Sequence, residues 1–154
     1  MPIEKLPGGT RGPRNPPRLF GKLLMPLMTR IHRRQGDRFR GTELLYLTTV
    51  GARSGERRTN PVARIADGDS DGWIIVASVG GAVHHPGWYH NVCAHPDQVW
   101  AEVAGVNHRV EVEQLTGEAR ERAWAKVIAQ APSFQGYVAK TDRQLPVLRL
   151  TPAP

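Results

Sequence analysis

Ser78 begins the stretch of this sequence richest in reactive side chains. In Val76–Asn91, VASVGGAVHHPGWYHN, a hydroxyl precedes a glycine pair, and three histidines, a tryptophan and a tyrosine follow. Metal binding, nucleophilic catalysis and anion binding all draw on such residues. Metal binding fits least: His84 and His85 are neighbours that point apart, and His85, His90 and His95 advance in fives, which rotates them off any one helix face. The helical zinc pair, two histidines four residues apart around a glutamate, is absent, and no metal is expected. Nothing in the sequence orients a carboxylate-bound histidine toward Ser78, and Cys93, in the apolar context NVCAHP, reads as a structural thiol. Ser78 is better suited to donate a hydrogen bond. Anion binding has more support. GARSGERR places Arg53, Ser54, Arg57 and Arg58 around two glycines, so that backbone N–H groups, a hydroxyl and guanidinium forks converge. A second glycine loop, SVGGAV, runs into a proline-initiated helix whose positive end also favours an anion.

These loops need elements to hold them. ELLYLTTV, Glu43 to Val50, predicts a buried strand; GARSGE turns the chain; RRTNPVARIA, Arg57 to Ala66, predicts a second strand with Pro61 at an edge or bulge. DGDSDG signals a hairpin returning through WIIVAS, Trp73 to Ser78. A short helix opens near Pro86 and ends before Pro96. QVWAEVAG and NHRVEVEQL alternate about a turn at residues 105–107, Thr116 is placed to cap a helix with Trp124, Val127 and Ile128 inward, and LPVLRL closes as a strand. Hairpin-linked strands with few helices imply an antiparallel barrel or sandwich.

The 154 residues, 40% apolar, suffice for one compact domain. A single cysteine excludes an internal disulfide and fits a cytoplasmic setting. Residues 1–17 read as a flexible arm, residues 18–35 as a basic amphipathic helix interrupted by Pro26, and residues 36–154 as the domain. The helix stripe of Leu19, Phe20, Leu23, Leu24, Leu27, Met28 and Ile31 is expected to cover the protein's own core in preference to an anionic membrane face. The charge of +7 favours an anionic partner, but only 6% of residues are aromatic and no nucleic-acid module is visible, so nucleic acid is not expected.

Three segments in order, LLYLTTVGARSGERRTNPVARIADG, WIIVASVGGAVHHPGWYHNVCAHPD and APSFQGYVAKTDRQLPVLRL, resemble the deazaflavin-dependent nitroreductase and quinone reductase family, small split β-barrel proteins that use coenzyme F420. The resemblance runs from residue 43 to residue 150. It implies a mainly β (α+β) fold, a split β-barrel of antiparallel strands with a few flanking helices. It also implies a cofactor site. Arg53, Ser54 and Arg58, with Ala52 and Thr59 beside them, would hold the phosphate and acidic tail, while Asn60, Pro61, Val62 and Ala63 line the bed of the ring. Val76, Ala77, Ser78 and Val79 would form the opposite strand edge, and Gly87, Trp88, Tyr89, His90 and Asn91 the wall. Ser78 and Tyr137 would serve catalysis, Tyr137 and Phe134 forming an aromatic lid. Such a protein passes a hydride from the reduced coenzyme to a small electron-poor acceptor: a quinone, nitroaromatic or activated alkene.

The sequence departs from the family pattern at four positions. Ala52 and Val79 stand where relatives carry arginine and lysine, and Ala63 and Ala131 stand where they carry tyrosines. The first pair leaves Arg53, Arg57 and Arg58 to bind phosphate; the second opens the acceptor pocket. Two alternatives share these features: a split barrel that binds flavin mononucleotide, and a non-catalytic carrier of a deazaflavin, tetrapyrrole or lipid.

Overall fold

The computed structural model describes residues 3–15, 26–31, 33, 34, 36, 38, 39, 42–68 and 70–154. Among the described residues eight strands form one antiparallel sheet: β1 (Arg38–Phe39), β2 (Thr42–Val50), β3 (Arg57–Ala63), β4 (Ile65–Ala66), β5 (Trp73–Val76), β6 (Trp100–Val103), β7 (Val106–Gln114) and β8 (Val147–Pro152). Residues 26–31, 33 and 34 are helical (α1), followed by α2 (Gly87–Ala94), α3 (Gly117–Gln130) and α4 (Phe134–Lys140). A 3-10 turn spans Val79–Gly81.

The pairing runs β3–β2–β6–β7–β8–β5–β4. Only Arg64 separates β3 from β4, so one length of chain joins β2 at its start and β5 at its end. The sheet therefore returns on itself as a split barrel. β3 and β5 approach each other without pairing, and the gap between them is the split. Pro61 sits on β3, whose described partner is β2 alone, where a missing N–H costs no ladder bond on the free side.

Alternation along β5 divides the core. Ile75 and Ala77 join Leu45, Leu47, Val62, Tyr89, Val92 and Leu148 inside the barrel and beneath α2, whereas Ile74 and Val76 join Leu115, Val127, Phe134 and Leu145 beneath α3 and α4. Each fully buried Leu, Ile or Phe contributes about 1.5–3 kcal/mol. On the outer face of β2 the Arg33 guanidinium lies 4.2 Å above the Tyr46 ring and pairs with Glu102, which ties α1 to the sheet.

Several expectations are corrected. Residues 3–15, expected as a flexible arm, lie against the domain through bonds such as Gly9 N–H to the Val83 carbonyl (2.9 Å) and Val83 N–H to the Pro13 carbonyl (3.0 Å). Of the basic helix, residues 18–25 fall outside the described residues, and in α1 Leu27 and Ile31 stay 51% and 40% exposed instead of covering core. Thr116 occupies the N-cap of α3 but gives it no side-chain bond. The β6–β7 turn falls at Ala104 and Gly105, both left-handed (φ 49° and 83°), one residue earlier than expected. No G-x-S-x-G nucleophile elbow is expected from the sequence, but GDSDG in the β4–β5 hairpin has that spacing; its Ser70 sits in a turn and donates its hydroxyl to Asp67 Oδ2 at 2.7 Å. Asp67 is fully buried and is matched by Lys126 (2.9 Å) and Arg149 (2.6 Å), a structural cluster.

Candidate functional site

On one side of the split stands the β2–β3 turn. Gly51 N–H donates to the Glu56 carbonyl at 2.8 Å and Gly55 N–H to the Gly51 carbonyl at 3.0 Å. A Cβ on Gly51 would meet Ser54 Oγ at 2.3 Å, so glycine is what lets the hydroxyl fold under the turn. Ser54 Oγ accepts the Glu56 N–H at 3.2 Å and keeps its own proton to donate. Arg53 is exposed, with no hydrogen bond or ion pair among the described residues, and Arg58 has only an exposed contact to Glu56 at 3.4 Å. Surface pairs of that kind are weak, so both guanidinium groups remain open to an anion.

Strand period two then sorts β3. Opposite residues share a face, which sets Arg58, Asn60 and Val62 with Thr49, Leu47 and Leu45 on the barrel side. Arg57, Thr59, Pro61 and Ala63 face the other way, where Arg57 lies 4.2 Å above Trp100 and the Thr59 and Thr48 hydroxyls meet at 2.8 Å. Consecutive residues of β3 can therefore line one ligand only through their backbone along the free edge. Asn91 of α2 anchors the turn: its Oδ1 accepts the Ala52 N–H at 3.0 Å and its Nδ2 donates to Thr49 Oγ1 at 3.1 Å.

Across the split, the chain leaves β5 through Ala77 and Ser78. Ser78 is half-buried at the N-cap of the 3-10 turn, where its side chain makes no cap bond. Its carbonyl is taken twice, by Gly81 N–H (2.9 Å) and Arg143 Nη2 (2.7 Å). The backbone is fixed, and among the described residues the hydroxyl has no partner. Val79 follows with φ 45°, a left-handed conformation costly for a β-branched residue. Gly81, at φ 81°, packs on α4 so closely that a Cβ would lie 2.5 Å from the Tyr137 carbonyl oxygen.

The walls divide between core and surface. Val62, Val76, Ala77, Tyr89 and Phe134 are buried in the two core clusters, so they shape the floor rather than offer free surface. The Tyr89 hydroxyl accepts the Leu6 N–H (3.0 Å) and donates to Gln114 (2.6 Å), and burial pushes its pKa up to about 12. Gly87 is exposed, while Trp88 and His90 are half-buried on α2, Trp88 against the barrel core. Tyr137 is half-buried with its ring 5.2 Å from Phe134, and its hydroxyl has no partner among the described residues. His85 is not a free ligand: Arg143 and the Leu6 and Pro7 carbonyls engage both ring nitrogens. Two small cavities, about 220 and 200 Å³, lie at the other end of β5 around Glu43 and Arg64.

Sequence reasoning missed Arg143. Nothing around TDRQLP marks it, although a glycine loop with bare carbonyls needs donors from somewhere.

The basic turn leads into β3 and Ser78 follows β5, the two strands that approach without pairing in a split barrel. Residues 25–152 match the F420H(2)-dependent quinone reductase family, and the chain belongs to it. An F420H(2)-dependent quinone reductase of Mycobacterium tuberculosis is 36% identical over 110 residues, 70% of this chain and 72% of that protein. The structure of an F420-H2 dependent reductase, FDR-A, superposes with a TM-score of 0.62 at 34% identity, covering 70% of this chain and 92% of its own. A solved domain-swapped dimer superposes at 0.63 with 30% identity, over 84% and 97% of the two chains. The protein is an oxidoreductase of the coenzyme F420 class with a small-molecule acceptor. Among the described residues no helix is long and apolar enough to cross a membrane.

Proposed function

We propose that this protein reduces a quinone with coenzyme F420 bound along the split between β3 and β5. The donor set fits the coenzyme: Arg53, Arg58 and the Ser54 hydroxyl suit its phosphate and oligoglutamate tail, and the apolar floor of Val62 and Ala77 suits a flat ring. When bound, the reduced deazaflavin supplies the hydride. The chain supplies position and electrostatics. Ser78 donates its hydroxyl to the acceptor oxygen where negative charge develops, which favours transfer because the donor needs no reorganisation. Tyr137, with Phe134 behind it, covers the acceptor and sheds water. The free hydroxyl of Ser78 on a backbone held from below carries this reading.

The test is titration of the protein with F420 and, separately, with flavin mononucleotide, followed by tryptophan fluorescence, to which Trp88 contributes from the site. Then the reduced complex is mixed with menadione. The expected result is binding of F420 and not the flavin, with oxidation of the reduced coenzyme on adding the quinone. Binding without oxidation makes the protein a carrier, and binding of the flavin alone moves it to the other split-barrel class.

A further inference from the structure

Arg143 is 4% exposed, and among the described residues no carboxylate faces it. A charge so placed is costly unless its donors are matched, and each of its three nitrogens donates at least once. Nε donates to the Ala82 carbonyl (3.1 Å), Nη1 to the Ala77 carbonyl (2.9 Å) and to His85 Nδ1 (2.7 Å), and Nη2 to the Ser78 carbonyl (2.7 Å). The guanidinium thus binds the Ser78 loop at its entrance, at Ser78 itself and just past its glycines. Because a guanidinium only donates, His85 Nδ1 must accept. His85 is therefore neutral, with Nε2–H directed at the Leu6 and Pro7 carbonyls at 2.9 and 3.0 Å. The arm closes over the same loop, where a Cβ on Gly12 would lie 2.8 Å from the Gly81 carbonyl oxygen.

We propose that Arg143 is a positioning residue for the reaction, holding the Ser78 loop in the arrangement that presents its hydroxyl, with neutral His85 as its acceptor and the N-terminal arm as an outer clamp. The proposal rests on the assignment of Ser78 to the acceptor. It also implies a pH dependence. Protonated His85 would turn an N–H against the guanidinium and break the link. Around His85 stand Arg143, Lys5, the Tyr89 ring at 4.7 Å and the His90 ring at 6.0 Å. Burial lowers the pKa of His85 below its ordinary 6.5, the Arg143 charge lowers it further, and the bond to the Leu6 carbonyl opposes both. With a depressed folded pKa, the support is complete above the unfolded value and is lost as pH falls through the folded one.

The test pairs Arg143→Lys, which keeps the charge but not the fork, with His85→Asn, which keeps an acceptor and cannot titrate. In Arg143→Lys, amide exchange at residues 78–83 should quicken and kcat for menadione reduction should fall about tenfold, while the Kd for F420 stays within about twofold. His85→Asn should retain turnover at neutral pH and lose the acid limb of the kcat profile. Should Arg143→Lys not fold, His85→Phe, which removes the acceptor for Arg143 together with the donor to the Leu6 and Pro7 carbonyls, goes through the same two measurements. Unchanged exchange overturns the proposal. Faster exchange with unchanged turnover instead overturns the Ser78 assignment beneath it, so the two failures are distinguishable.

Discussion

The Ser78 hydroxyl is unused by the described residues, while the carbonyl of the same residue is bonded twice. Ser78→Ala therefore deletes one donor and leaves the loop backbone in place. Stability should change by no more than about 0.5 kcal/mol, since no internal bond is lost. Turnover of menadione should fall about tenfold or more, in line with loss of a preorganised donor, while fluorescence titration gives an unaltered F420 affinity. Equal turnover by mutant and parent removes Ser78 from the reaction. Next to it, Val79 holds φ 45° at a cost of about 1–2 kcal/mol. That strain was not legible in the sequence. Valine ordinarily favours strands, and here the bonds on Ala77, Ser78 and Ala82 help hold the chain in the opposite conformation.

At the scale of elements, the basic turn depends on α2. Asn91 joins the Ala52 N–H to the buried Thr49 hydroxyl, so the helix fixes the turn that carries Arg53 and Ser54. Asn91→Ala should destabilise by about 1–3 kcal/mol, because it strands the buried Thr49 hydroxyl. It should also weaken F420 binding several-fold. Denaturant titration and coenzyme titration read the two effects, and an unchanged affinity means the turn is held without α2. The strands β2, β3, β5, β6, β7 and β8 and the helices α2 and α3 were legible because alternation, turn residues and helical spacing are local signals. The docking of residues 3–15 was not. This proline- and glycine-rich segment has no periodicity, and its order comes from partners far along the chain, such as the Gln114 amide on the Glu4 carbonyl and the Asp142 carboxylate on Thr10 and Arg11. Those bonds hold the Asp142 pKa down at about 2. The period-two sorting of Asn60–Ala63 was knowable, but the family likeness treated those residues as one bed.

For the whole molecule, the excess of +7 and the location of the exposed arginines act together. Arg53 and Arg58 are open to water, so their attraction for an anionic tail is screened over about 10 Å at 0.1 M salt and about 3 Å at 1 M. The buried charges respond differently. Arg143 is satisfied by carbonyls, and Asp67 lies fully buried between Lys126 and Arg149, where salt penetrates little. Raising salt from about 0.05 M to about 0.5 M should therefore weaken F420 binding several-fold while shifting the thermal midpoint little. Parallel coenzyme titrations and melting curves at each salt concentration separate the two. A Kd that stays flat while the fold is unaffected would mean that the ring slot, rather than the basic turn, supplies the affinity. The tail would then lie away from Arg53 and Arg58.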